Sequence, residues 1–305
     1  MKYLVSIVSL IFCFLAVQLH AQDDHRYDPP WNTPPASAVM FTIQGINNVP
    51  DLYGDIVDPQ LVVFFAGNQF MCVDDLLAGF KKQYPHIERI FVETLPPGIL
   101  AKQIEGGSLT LGNLRITHQP DIYTAGKTRI ETMLHLFSRT EVYAYNKLSL
   151  MVPAGNPKKL RGFMDLKSPS VRISMPNPAW EGIGRQIEKA YENAGGNALT
   201  KTIMEEKVKA GSTFLTRIHH RESPLRILYG QSDVAPVWTS EVVYQKMIGH
   251  PVEEIEIPVG QNIRATYIAG QLKNAPRPEA AALFMDYLTS PEAKAIYRKY
   301  GFETD

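Results

Sequence analysis

Short apolar runs alternate with amphipathic stretches from about residue 60 to the end of the chain. Residues 61–65 form a continuous apolar run, which is typical of a strand covered on both faces. Pro85 follows a stretch whose apolar residues recur at helical spacing, namely Val73, Leu76, Leu77 and Phe80. The pattern therefore predicts a buried strand followed directly by a helix.

The same alternation continues along the chain. It predicts strands at 90–93, 121–124, 143–152 and 171–175, and helices at 99–104 and 181–194. Gly195 and Gly196 end the longer of these helices. Near the C-terminal end Ser290 caps a helix, Pro291 takes its first position, and Gly301 supplies a left-handed residue that ends it. Repeated strand–helix alternation favours an α/β fold with mainly parallel sheets flanked by helices.

The N-terminal segment has the pattern of a cleavable signal peptide. Lys2 is followed by an almost unbroken apolar run over 3–17, and the segment 19–21 ends on the small residue Ala21. A membrane anchor is the alternative, but a span needs about 20 apolar residues and this run is shorter. We therefore expect residues 1–21 to be removed, with a mature start near Gln22 and a periplasmic location. Residues 22–59, rich in proline, are predicted to form an irregular arm.

Composition excludes several classes of function. Lys and Arg together number 31, as do Asp and Glu, so no electrostatic case exists for nucleic acid or an anionic membrane surface as partner. Export would leave one cysteine, Cys72, which we interpret as a small core residue. The chain has no nucleophile elbow, metalloprotease, dithiol or phosphate-loop motif. The sequence therefore predicts neither an enzyme nor a cofactor.

Two extended segments and the C-terminal helices carry a family resemblance. Residues 142–152 and 264–270 resemble the two crossover strands of the molybdate- and tungstate-binding branch of periplasmic solute-binding proteins of ABC importers. The resemblance covers about residues 60–305. It implies the type II fold of these proteins, with two lobes, crossover strands as the hinge, and ligand bound in the cleft between the lobes. Lobe 1 would comprise 60–145 and 266–305, and lobe 2 would comprise 146–265.

The resemblance implies ligand contacts from four loops, at the strand ends where helix N-termini present free N–H groups. The candidates in these loops are Gly67, Asn68 and Gln69 in the first, Gly98 in the second, Asn177, Ala179 and Trp180 in the third, and Trp238 in the fourth. Pro96 and Pro97 stand where the family has serines, so that contact is lost. Trp238 stands where the family commonly has a tyrosine. Packing within a lobe is the alternative for both tryptophans.

Further candidates come from the strand ends and from the 211–221 region. Thr124 and Lys127 come at the end of a predicted strand, where a ligand could be contacted. For Lys127, an amine exposed to solvent on the surface is an equally good interpretation. Thr213 lies where the family has another contact to the oxyanion. Adjacent histidines rarely share a metal ion, so a place at the cleft rim or hinge is expected of His219 and His220. Two arginines could grip a carboxylate, Arg217 and Arg221.

These observations predict a monomeric binding protein that captures a small anion and hands it to the membrane permease of an ABC importer. A molybdate- or tungstate-like oxyanion fits the resemblance, whereas an organic carboxylate fits the rewritten, aromatic contacts. A sensory protein that docks on a receptor is a further alternative. We expect five of the candidates to converge on one cleft between the lobes: Asn68, Lys127, Asn177, Thr213 and Trp238.

Overall fold

The computed structural model describes residues 51–111, 114–179, 181–217 and 221–305. The predicted signal peptide, most of the proline-rich arm, Trp180, His219 and His220 lie outside these ranges. The strands are β1 (Leu52–Gly54), β2 (Leu61–Phe64), β3 (Ile90–Glu93), β4 (Leu109–Leu111), β5 (Leu114–Ile116), β6 (Ile122–Gly126), β7 (Phe137–Pro153), β8 (Ile173–Met175), β9 (Thr213–Leu215), β10 (Ala235–Trp238), β11 (Val252–Glu256) and β12 (Arg264–Leu272).

Nine α-helical segments lie within the described ranges. They are α1 (Val73–Gln83), α2 (Pro97–Gly106), α3 (Lys127–Thr132), α4 (Gly182–Lys201), α5 (Lys207–Lys209), α6 (Glu222–Leu228), α7 (Thr239–Met247), α8 (Pro278–Leu288) and α9 (Pro291–Lys299). A short 3-10 helix, Gly67–Cys72, precedes α1, and a π-helical turn, Thr202–Glu206, follows α4. None of the helices in the described ranges is both long and apolar enough to cross a membrane.

Eight strands form one continuous sheet in the order β1-β3-β2-β6-β12-β7-β10, with β11 also paired to β7. The pairs β2–β3 and β2–β6 are parallel, whereas β12 runs antiparallel to both β6 and β7. The sheet is therefore mixed, because the long strands that join its two halves run against their neighbours. A separate parallel pair is formed by β8 and β9.

The described end of the predicted irregular arm belongs to this sheet. Residues 52–54 form β1, which pairs antiparallel with β3 from Leu52↔Glu93 to Gly54↔Phe91. The N–H of Thr94 also donates to the carbonyl of Asp51 at 2.8 Å. The expectation of an irregular segment up to residue 59 is thus corrected, since short edge pairing gives the backbone groups of 51–54 their partners.

Two long strands run through both halves of the molecule. The seventeen residues of β7 pair with β12 from Phe137↔Leu272 to Lys147↔Arg264, and then with β10 and β11 from Leu148 onward. The chain therefore divides into two lobes that share these strands. The pairing of β7 changes from β12 to β10 just after Lys147, which is opposite Arg264, so the chain passes between the lobes near these two residues. The exact lobe boundaries given above stay a prediction.

The carboxyl ends of the parallel strands of both lobes face the same boundary. In lobe 1 these ends are Phe64, Glu93 and Gly126, and in lobe 2 they are Met175, Leu215 and Trp238. Because β6 is antiparallel to β12 and β10 is antiparallel to β7, the two sets of ends point toward each other. The loops that follow them line the cleft between the lobes.

Each lobe has its own apolar core. In β2, Leu61 and Val63 pack into the cluster under α1, α8 and α9, while Val62 and Phe64 pack into the cluster under α2. All four residues are fully buried, as the continuous apolar run predicts. In lobe 2 a third cluster joins β7 and β8 to α4.

Candidate functional site

The first loop of the cleft is built around a close approach of two backbones. The N–H of Ala66 donates to the Thr124 hydroxyl at 3.0 Å. A Cβ at Gly67 would lie 2.8 Å from the carbonyl oxygen of Thr94, so this position requires glycine. The N–H groups of Gly67 and Asn68 open the 3-10 helix and have no acceptor within the described residues. Two backbone donors of buried residues at the end of β2 therefore have no partner in the described ranges.

The side chains of the first loop are held by tyrosines of the two crossover strands. Asn68 donates through Nδ2 to the Tyr267 hydroxyl at 2.5 Å, and Gln69 donates to the Tyr143 hydroxyl. Burial raises the pKa of both Tyr143 and Tyr267, which therefore stay neutral. Hydrogen bonds from Asn68 and Gln69 thus fix the first loop to the two crossover strands.

The second loop offers few donors, as its two prolines predict. Pro96 is the N-cap of α2 and Pro97 its first residue, and neither has an N–H. The hydroxyl of Thr94, which is buried, has no partner within the described residues. Gly98 is partly buried, and a Cβ there would lie 3.9 Å from the guanidinium of Arg129. After the two prolines, Gly98 is the next residue with a backbone N–H.

The third loop carries a carboxylate. The N–H of Asn177 donates to the Thr216 hydroxyl at 3.0 Å, and the N–H of Ala179 donates to Asn177 Oδ1 at 3.0 Å. The Thr216 hydroxyl in turn donates to Glu181, the N-cap residue of α4, whose side chain is buried. Thr216 and Glu181 are therefore the two side chains that meet at the ends of β8 and β9.

The fourth loop brings an aromatic residue to the hinge. Trp238 ends β10 and is 7% exposed. Its ring meets the Tyr267 ring edge-to-face at 6.4 Å, and it also belongs to the core cluster of lobe 2. Trp238 thus fits the packing alternative and still lies at the boundary of the lobes, next to the tyrosine that holds Asn68.

Contacts between the lobes close the cleft in this structure. Arg221 of lobe 2 forms an ion pair with Asp51 beside β1, and both side chains are buried. The Arg221 guanidinium also lies 5.0 Å from the centre of the Phe70 ring, and Phe70 meets Tyr244 of α7 edge-to-face at 5.3 Å. An arginine that could grip a carboxylate therefore does so, but the carboxylate belongs to the chain itself.

The five residues expected to converge do so only in part. Asn68 and Trp238 both contact Tyr267, and Asn177 lies at the strand ends of lobe 2. Lys127 follows the end of β6, but its side chain is 60% exposed and pairs with Glu131 at 3.8 Å, which fits the surface alternative. Thr213 is buried at the start of β9, away from the cleft, because the strand continues to Leu215.

Ligand contact by the candidate residues stays a prediction. Ala179 is exposed, and Trp180 lies outside the described residues. In the described part of the chain no three His, Cys, Asp or Glu side chains are grouped as a metal site would require. Sequence reasoning missed Asp51 and Thr216, and it gave residue 181 only as the start of the predicted helix 181–194. The position of Thr216 directly after an apolar strand was the one available signal.

The two-lobe arrangement has counterparts among known proteins. Residues 61–303 match the family model described as bacterial extracellular solute-binding protein. The chain belongs to this family. Membership confirms the family resemblance, and a family of binding proteins agrees with the prediction that the chain is not an enzyme.

Relatives and solved structures extend the comparison. The sulfate-binding protein of Synechococcus elongatus is 29% identical over 167 residues, which are 51% of this chain and 46% of that protein. The chain therefore spans about half the length of this curated relative. The periplasmic molybdate-binding protein of Azotobacter vinelandii superposes with a TM-score of 0.64 at 18% identity, covering 80% of this chain and 99% of that one.

A third similar protein is PEB3 of Campylobacter jejuni, in a structure with L-phospholactate bound. Its TM-score is 0.60 at 17% identity, with 80% of this chain and 100% of that chain covered. At these identities the likeness concerns the fold, and it confirms the predicted type II periplasmic-binding-protein architecture.

Proposed function

We propose that this protein is the solute-binding component of an ABC-type importer, that it acts in the periplasm, and that it captures a small anion between its lobes. The observation that supports this most is the pair of backbone N–H groups of Gly67 and Asn68, two buried residues, which have no acceptor in the described ranges and follow the end of β2 that points toward lobe 2. Backbone N–H groups at such ends are the usual partners of bound anions.

Capture would proceed by hinge closure about β7 and β12. These strands carry the chain between the lobes, so a small change in their twist moves one lobe against the other. Closure brings Phe70 against Tyr244 and Arg221 against Asp51, and it removes water from the cleft. The membrane permease would then bind the closed form, in which the two lobes present one continuous surface.

The identity of the anion depends on contacts that depart from the family. Sulfate and molybdate binders are among the relatives, which favours an inorganic oxyanion. Pro96 and Pro97 remove donors from the second loop, and Trp238 brings aromatic surface to the hinge, which favours an organic acid. The fold holds a phosphorylated organic acid in PEB3, so either class of ligand is compatible with this scaffold.

A thermal-shift screen tests the proposal. The purified exported protein is heated with molybdate, tungstate, sulfate, phosphate or one of a panel of organic acids. A ligand at a hundred times its Kd adds about 2.7 kcal/mol to the free energy of unfolding, which raises the Tm measurably. We expect at least one small anion to do so. The proposal is wrong if none of these anions raises the Tm.

A further inference from the structure

The chain segment that follows α9 pairs with a crossover strand close to the place where that strand leaves lobe 1. The N–H of Tyr145 in β7 donates to the Glu303 carbonyl at 2.8 Å, and the Glu303 N–H donates back to the Tyr145 carbonyl at 2.9 Å. Tyr145 is also opposite Thr266 of β12. Both backbone groups of a strand residue point to the same edge, so Glu303 and β12 lie on opposite edges of β7.

The side chains of the same segment reach the second crossover strand. Arg264, the first residue of β12, donates through Nε to Glu303 at 2.9 Å and through a terminal nitrogen to Asp305 at 3.1 Å. Its guanidinium lies 3.5 Å from the centre of the Tyr145 ring, and the Tyr145 hydroxyl donates to Asp305. One arginine therefore joins the segment to both crossover strands, through charged hydrogen bonds and through an aromatic ring.

The segment is itself fixed to lobe 1 by an aromatic anchor. Phe302 is 3% exposed, and its ring meets the rings of Tyr267 and Tyr297 edge-to-face at 5.9 and 5.6 Å. Tyr297 belongs to α9, which packs in the core of lobe 1. An element anchored in one lobe thus holds both crossover strands beside the point where they pass to the other lobe.

The energies of these contacts match the task of adjusting a hinge. The side chains of Arg264, Glu303 and Asp305 are 50%, 41% and 70% exposed, and such ion pairs contribute little to the free energy of unfolding. The balance between two conformations of a protein is only a few kcal/mol, so contacts of this strength are enough to change it. A change in the twist of β7 and β12 has to break or distort these contacts.

We propose that residues 302–305 form a hinge clasp, which through Tyr145 and Arg264 holds the crossover strands in the twist of the closed lobes and so sets how often the unliganded protein opens. The inference rests on the hinge closure of the proposed function. It adds to that function a regulating element that belongs to none of the four cleft loops.

Pulsed electron paramagnetic resonance tests the clasp, because it measures the distribution of distances between the lobes without a ligand. Spin labels are attached at Lys102→Cys on α2 of lobe 1 and at Lys189→Cys on α4 of lobe 2, two exposed positions. Cys72 is fully buried and stays unlabelled. The Tm of every labelled protein shows whether the fold is retained.

The clasp variant carries Glu303→Gln and Asp305→Asn, which remove both charges and keep the shapes of the side chains. A second variant, Arg264→Gln, removes the same two ion pairs from the other side. The matched control is Asp286→Asn. It breaks a 2.7 Å ion pair that Arg139 of β7 makes inside lobe 1, away from the crossing.

We expect the clasp variant to raise the open fraction about threefold or more, the factor that two exposed ion pairs supply together. Arg264→Gln should shift the distances in the same direction, and Asp286→Asn should match wild type. Unchanged distances in the clasp variant overturn the inference, as does an equal shift in Asp286→Asn. If the clasp variant does not fold, Arg264→Gln decides in its place.

Failure of the clasp and failure of the proposed function are separable. The thermal-shift screen on wild type decides the proposed function. An anion that raises the Tm, together with unchanged distances in the clasp variant, overturns the clasp alone. A shift of the distances without a response to any anion overturns the proposed function and supports the clasp as a property of the hinge.

Discussion

At the scale of single residues, the least expected group is a buried carboxyl at the end of a strand of lobe 1. Glu93 ends β3, is fully buried, and accepts a hydrogen bond from Gln103 Nε2 at 2.9 Å. The remaining oxygens of the pair, Glu93 Oε2 and Gln103 Oε1, have no partner within the described residues. One proton on Glu93 would satisfy both. Desolvation raises the pKa of Glu93 to about 7, and the bond from Gln103 opposes this in part.

This residue predicts a pH dependence of stability. The pKa in the folded state lies above the ordinary value of 4.5, so the folded state binds more protons between those pH values. Stability from Glu93 is therefore complete below pH 4.5 and is lost as the pH rises through about 7, by roughly 3 kcal/mol in total. Urea denaturation at pH 5 and pH 8 measures it.

The Glu93→Gln variant is the control, because it cannot ionise and other buried acids remain in both proteins. Burial also raises the pKa of Asp121, so the difference between wild type and variant isolates Glu93. We expect the fall in stability between pH 5 and pH 8 to be smaller in Glu93→Gln by most of that amount. Equal falls in the two proteins would contradict the assignment.

A hydroxyl on the hinge gives a second prediction. The Tyr267 hydroxyl accepts from Asn68, and Tyr267→Phe removes that acceptor at a buried position. We expect a loss of about 1–3 kcal/mol, the cost of leaving a buried donor without a partner. Tyr145→Phe is a matched control, since the Tyr145 hydroxyl bonds the exposed Asp305. A thermal melt in which both variants match wild type would refute the anchoring role.

At the scale of elements, most of the helices and strands could be predicted from local pattern. The strand at 90–93 has the predicted bounds, and α2 extends the predicted helix 99–104 at both ends. The helix predicted to end at Gly195 and Gly196 does break there, with φ of −149° and +66°, although helical turns resume at once. The 3-10 helix at 67–72 could not be predicted, because it depends on Thr124, Tyr143 and Tyr267 from distant strands.

The cap of the last helix offers a local test. Ser290 accepts the N–H of Ala293 at 3.2 Å, with Pro291 in the first position, as the sequence predicts. Ser290→Ala should therefore lower the free energy of unfolding by about 1 kcal/mol. Thr289→Ala, one residue earlier, removes a hydroxyl that does not cap α9. Similar losses in the two variants by urea denaturation would mean that the cap is not the cause.

At the scale of the whole molecule, the contacts between the lobes were beyond sequence reasoning. Asp51 and Arg221 are separated by 170 positions, and the residues around each of them give no sign that the two form an ion pair. The direction of the strands could be predicted, and it correctly placed the loops that follow them at the boundary between the lobes. The partners across that boundary depend on tertiary distances, which is why Lys127 and Thr213 were chosen while Thr216 and Asp51 were missed.

The ion pair between the lobes predicts a change in shape. Removing one partner of a buried pair leaves the other charge desolvated and uncompensated, so separation of the lobes becomes favourable. We expect unliganded Arg221→Ala to have a larger radius of gyration than wild type in small-angle X-ray scattering. Arg217→Ala is the control, because Arg217 is exposed and bonds Glu222 through its backbone N–H. Identical scattering from all three proteins would show that the pair does not hold the lobes together.

The shared strands also decide when the protein can fold. In lobe 1, β12 lies between β6 and β7, yet it is not synthesised until residues 264–272, after nearly the whole of lobe 2. The sheet of lobe 1 therefore cannot be completed by a growing chain until the last forty or so residues are made. Such non-local pairing slows folding, because the chain loses the entropy of closing a long loop before the stabilising contacts between the strands form. We expect a newly made chain to stay open long enough to be threaded unfolded through a membrane, and rapid-mixing refolding experiments should show that delay.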